Sequence, residues 1–96
     1  MNRSQTLTLL KQHKAVLAER YGVTDLALFG SVVRDTMKPE SDVDILVTYD
    51  GPTTSKRYFG VLFYLKDLLG RPVDLVTNKT LRSEPRPYIE KEAVYV

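Results

Sequence analysis

Ninety-six residues, 43% hydrophobic and 27% charged, suffice for one domain with one modest core, and residues 1–96 read as that single domain. The absence of cysteine excludes a disulfide framework, a thiolate zinc site and a cysteine nucleophile; any metal must be held by oxygen or by the one histidine, His13, which favours a hard cation such as Mg²⁺. The net charge of +2 is spread along the chain without a basic block, so dedicated nucleic-acid binding is not expected.

The polar N-terminal residues develop no signal-peptide apolar region, and the most apolar stretch, Phe59 to Leu65, is too short to cross a bilayer. A cytoplasmic, non-membrane protein is expected. From Gln5 to Tyr21, Leu10, Leu17 and Tyr21 recur at helical spacing beside Leu9 and Val16, which predicts an amphipathic helix ended by Gly22. His13 lies between those apolar pairs and reads as a packing residue. Asp25 to Phe29 is a short apolar run, read as a strand buried on both faces; it stops at Gly30-Ser31, where a short helical segment opens. Beyond a loop holding Pro39, Val43 to Thr48 makes a second strand. Val43, Ile45 and Val47 point to one face, Asp42, Asp44 and Leu46 to the other.

Ser55 reads as the cap of a helix running to Leu69, with Tyr58, Leu62, Leu65 and Leu69 at helical steps and Gly70 closing it. Phe59, Phe63 and Tyr64 are expected to be mostly core as well, and Lys56 and Arg57 to be solvated. Pro72 to Thr77 is a third strand. Thr80 to Glu92 is weakly helical and broken by Pro85 and Pro87, and Ala93 to Val96 add a short terminal strand. The order is that of a small α/β domain.

The chemistry lies in Gly30-Ser31, ten residues, then Asp42-Val43-Asp44. Carboxylates at i and i+2 of a strand share a face and can grip one cation. If the second and third strands are neighbours, Asp74 joins them as a third oxygen ligand; otherwise Asp74 is an edge charge that discourages aggregation. Three acids gathered on a half-buried surface repel one another unless a cation neutralises them. A glycine after a strand lets backbone approach a ligand closely, and the Ser31 hydroxyl adds a donor suited to phosphate. This is the layout of metal-assisted phosphoryl or nucleotidyl transfer. Each piece alone is commonplace, but the spaced combination arises by chance in about one chain per thousand of this length.

Within GSVVRDTMKPESDVDILV, those residues resemble the signature of the nucleotidyltransferase superfamily that includes DNA polymerase beta. The likeness is nearest to its minimal members, the MNT-type antitoxins paired with HEPN-domain toxins, and extends through PVDLV and RPYIEKEAVYV. The resemblance implies a mixed sheet of three to four strands flanked by helices. It implies that Gly30 and Ser31 bind nucleotide phosphates, with Arg34 near the triphosphate. Asp42 and Asp44 would hold two Mg²⁺ ions, with Asp74 completing the second site and helping to deprotonate the acceptor. Val33 and Asp35 depart from the frequent Ala-Arg-Gly pattern, and Asp35 adds negative charge near the phosphate site.

The resulting expectation is an enzyme that transfers AMP from ATP to a tyrosine hydroxyl of a HEPN ribonuclease toxin, acting as its antitoxin within a hetero-oligomer. The alternative is a catalytically idle antitoxin that neutralises by binding alone. Transfer to an antibiotic or RNA fits less well, because relatives of that kind use a further domain to hold the acceptor. Tyr88, Tyr95 and the proline-broken tail are candidates for a protein interface.

Overall fold

A computed structural model of the chain describes residues 2–34, 42–77 and 92–96. Helix α1, Arg3–Tyr21, opens on a capping box: the Asn2 side chain accepts from the Gln5 amide while the Gln5 side chain accepts from the Asn2 amide. It closes at Gly22, whose left-handed φ of 73° suits a residue without Cβ. Helix α2, Ser55–Leu69, closes in the same way at Gly70. Its cap is Thr54 rather than Ser55: Thr54 keeps extended backbone angles, and its hydroxyl accepts from the Arg57 amide at 3.2 Å.

Strands β1 (Val23–Phe29), β2 (Val43–Tyr49), β3 (Val73–Thr77) and β4 (Val94–Tyr95) form one mixed sheet in the order β3-β2-β1-β4. The β1–β2 and β1–β4 pairs are antiparallel, and β2–β3 is parallel. A parallel neighbour requires a crossover, and α2 supplies it. Both helices contribute to the larger core. Leu10 and Leu17 of α1 and Val61, Leu65 and Leu69 of α2 meet Leu26, Leu28, Val43, Ile45, Val47 and Leu75 of the sheet. Ala27, Phe29, Leu46 and Val76 form a second, smaller apolar cluster. Alternation along the strands puts these on the opposite face, so β1 is buried on both sides, as its unbroken apolar run predicts.

His13 bridges the helices, sharing a 2.6 Å hydrogen bond with the Tyr64 hydroxyl. Tyr58 and Tyr64 pack against the core, but Phe59 and Phe63 do not; they are 49% and 59% exposed and stack on each other. The helical step turns positions 59 and 63 away from the Val61, Leu65, Leu69 stripe, which correct the expectation that all four aromatics are core. Lys56 is exposed, whereas Arg57 pairs with Asp50 at 2.8 Å. Among the described residues no helix is long and apolar enough to cross a membrane. Asp35, the Pro39 loop, the Thr80-to-Lys91 part of the tail and Tyr88 lie outside the described residues.

Candidate active site

The β2–β3 register places Asp44 directly beside Asp74. Parallel pairing therefore delivers the neighbour relation on which a third acid depends. Asp42, exposed and two residues before Asp44, lies on the same side of the strand. That side is shared with Leu46 and Val76, so Asp44 sits at the margin of the smaller apolar cluster and is half-buried. Burial is the main reason its carboxyl is pushed up to about 6; the charge of Asp74, a hydrogen bond to Asp74 and the charge of Asp42 raise it further, and Arg34 opposes them.

On the antiparallel side of β2, Asp44 faces Phe29, the last residue of β1. Gly30 follows at φ 74° and begins a single 3₁₀ turn, Gly30–Val32. Two constraints demand glycine there. The left-handed backbone disfavours a side chain, and a Cβ would collide with the Asp44 carboxylate, lying 3.0 Å even from its Cγ. The turn is thus packed onto the acid, which brings the two halves of the motif together across ten intervening residues. Ser31 in this turn is partly exposed.

Arg34 follows the turn, its amide donating to the Gly30 carbonyl at 3.3 Å. Its guanidinium pairs with Glu92 at 2.5 Å. The other oxygen of Glu92 accepts from the Gly30 amide at 3.3 Å. Sequence reasoning missed Glu92 as a site residue. The available signal was an acid immediately before an apolar terminal strand, but only the strand pairing reveals what it meets. All six expected site residues therefore lie at one end of the sheet, around the β1–β2–β3 junction.

Among the described residues, no three His, Asp or Glu side chains form a ready-made metal cage. The donor chemistry nevertheless suits a hard cation. Asp42, Asp44 and Asp74 offer oxygen alone, and a cation would relieve the part of the upward push on Asp44 that comes, after burial, from the charges of Asp74 and Asp42.

Comparison with known proteins agrees with this geometry. Residues 10–96 match the family model of the nucleotidyltransferase domain. The chain is 40% identical over 89 residues to the protein adenylyltransferase MntA of Thermococcus cleftensis, covering 93% of this chain and 90% of that relative. It is 39% identical over 88 residues to MJ1217 of Methanocaldococcus jannaschii, a candidate protein adenylyltransferase, covering 92% and 87%. A solved minimal nucleotidyltransferase superposes with TM-score 0.79 at 30% identity, covering 98% of this chain and 95% of its own. The fold is also shared with one chain of a toxin–antitoxin complex solved with AMP-PNP, at TM-score 0.65 and 22% identity, over 99% of this chain and 72% of the other. With the signature acids on paired strands and the glycine turn seated against them, the chain belongs to the nucleotidyltransferase domain family and is a nucleotidyltransferase of the minimal kind.

Proposed function

We propose that this enzyme transfers AMP from ATP, with Mg²⁺, to a tyrosine hydroxyl of a HEPN-domain toxin and thereby acts as its antitoxin. The observation that carries the reading is the Asp44–Asp74 pair with the Gly30 turn packed upon it. Relatives named protein adenylyltransferases and a fold shared with an MntA–HepT toxin–antitoxin complex support the acceptor class.

In this reading Asp42, Asp44 and Asp74 hold the Mg²⁺ ions, which when bound neutralise the triphosphate and make the acceptor oxygen a better nucleophile. The Gly30 turn, the Ser31 hydroxyl and the Arg34 guanidinium hold and orient the phosphates. The acceptor oxygen forms its bond to the α-phosphorus as the bond from that phosphorus to the bridging oxygen breaks. Pyrophosphate leaves, and Asp74 helps to take the acceptor proton. A phenol, with an ordinary pKa near 10, gives up that proton more readily than an aliphatic hydroxyl. With nucleotide seated against the Gly30 turn and the acids, the favoured acceptor is one that brings its own binding surface, as a folded toxin does. Added AMP would then obstruct an RNA site by charge and bulk.

The test combines the purified chain, Mg²⁺ and labelled ATP with a HEPN protein encoded beside it. Label should appear on a toxin tyrosine, and Asp44→Asn should reduce the rate by about a thousandfold while circular dichroism stays unchanged. A toxin that is fully neutralised yet unlabelled would select the idle, binding-only antitoxin instead.

A further inference from the structure

Glu92 joins the site for a topological reason. Strand β4 pairs with β1 through Leu28↔Val94 and Ala27↔Tyr95. Continuing that antiparallel register by two residues sets Glu92 opposite Gly30. The segment is anchored beyond the pairing, since the Val96 amide donates to the Leu26 carbonyl at 3.0 Å and Lys14 Nζ donates to the Val96 carbonyl at 2.8 Å. The Glu92 backbone is therefore referenced to the same strand that delivers the Gly30 turn.

Its carboxylate closes a ring of contacts. One oxygen accepts from the Gly30 amide, the other from Arg34 Nη1, and the Arg34 amide returns to the Gly30 carbonyl. An arginine side chain has four rotatable bonds, and fixing one face of its guanidinium removes most of that freedom before a ligand arrives. Half of the Arg34 side chain stays exposed, so part of the five-donor fork remains turned outward. A fourth acid beside three others is electrostatically costly, and the Arg34 contact offsets that cost.

We propose that Glu92 is a positioning residue, holding Arg34 and the Gly30 turn in the arrangement that receives the nucleotide phosphates. This rests on the nucleotidyl-transfer reading above. Glu92 touches no reacting atom in this role, so its loss should weaken nucleotide binding more than turnover.

The experiment measures AMP-PNP binding with Mg²⁺ by calorimetry and steady-state transfer kinetics for wild type, Glu92→Gln, Glu92→Ala, Arg34→Ala and the Arg34→Ala/Glu92→Ala double variant. Glu92→Ala should raise the dissociation constant and the KM for ATP by about tenfold, with kcat changing less than about threefold. Glu92→Gln, which keeps an acceptor for the Gly30 amide but removes the negative charge facing Arg34, should fall between. In the Arg34→Ala background, Glu92→Ala should cost clearly less than the roughly tenfold expected in wild type, because only its contact with the Gly30 amide is left to lose. The Arg34 guanidinium N–H resonances should broaden as they exchange faster with water in Glu92→Ala. Tighter AMP-PNP binding by either Glu92 variant would overturn the proposal and make Glu92 a competitor for the phosphate site; unchanged binding, or multiplicative losses in the double variant, would also overturn it. The Gln variant keeps the test decisive should the Ala variant fail to fold. A wild type that neither binds AMP-PNP nor transfers AMP would instead defeat the nucleotidyl-transfer reading itself.

Discussion

Asp44 shows how one residue carries both a functional advantage and a folding cost. Its carboxyl sits near 6 in the folded domain against 3.8 for an unperturbed aspartate, chiefly through burial and secondly through Asp74. Between those values the folded chain keeps a proton that the unfolded chain has released. Stability therefore falls as pH rises from about 4 to about 6, and the full cost of the ionised group persists above 6. Without metal, Asp44→Asn should melt higher than wild type at pH 7, and the gap should narrow as the pH approaches 4. Thermal melts in EDTA across that range check it; a gap that stays constant with pH would remove the charge argument. The identity of this residue was legible in the sequence, because two acids alternating with valine and isoleucine in a strand call for an explanation. That its surface is half-buried was legible too, from Leu46 on the same face; which neighbours bury it was not, since that depends on Phe29 and Val76 joining Leu46 there. Glu92 lay further out of reach: nothing in one dimension says that an acid in the tail will face a glycine sixty-two positions earlier.

The elements were legible where local chemistry ends them. Gly22 and Gly70 stop the helices at the expected residues because the left-handed turn is a property of the glycine itself. Strand pairing was not, because parallel and antiparallel neighbours have the same alternation; only the crossover helix restricts β3 to a parallel place beside β2. Helix contacts were equally hidden. A Cβ on Gly60 would press into the Tyr21 ring, 2.9 Å from its Cδ1, so the glycine lets α2 approach the end of α1 closely. Alanine usually favours a helix over glycine by about 1 kcal/mol, whereas overpacking typically costs about 1–3 kcal/mol. The collision should win. Gly60→Ala should destabilise the domain by about 1 kcal/mol, and pairing it with Tyr21→Leu should recover most of that loss. Urea denaturation of the two single variants and the double variant measures the coupling; a more stable Gly60→Ala would show that the Tyr21 ring simply swings aside.

At the scale of the whole molecule, every strand meets at one end of the sheet. β3 brings Asp74, β2 brings Asp44 with Asp42 just before it, β1 ends at the Gly30 turn, and β4 is preceded by Glu92. A nucleotide bound there ties together segments from across the chain, so binding should register as global stability. A ligand at a hundred times its dissociation constant adds about 2.7 kcal/mol to the folded state. For a domain of this size each kcal/mol moves the melting temperature by about 4–8 °C, giving a rise of roughly 10–20 °C with Mg²⁺ and AMP-PNP. The acids should divide by position. Asp42 and Asp44 lie beside the turn that would hold the phosphates, so Asp42→Asn and Asp44→Asn should lose most of the rise. Asp74 is exposed on the outermost strand, away from the Gly30 turn, and its proposed task concerns the acceptor hydroxyl. Asp74→Asn should therefore keep most of the nucleotide-induced rise while transfer turnover falls by about a hundredfold or more. Melting curves and turnover measured on the same preparations separate the roles. If Asp74→Asn turns over normally, Asp74 is only an edge charge that discourages strand pairing between molecules; if it loses the thermal shift as completely as Asp44→Asn, it belongs to nucleotide binding and not to the acceptor.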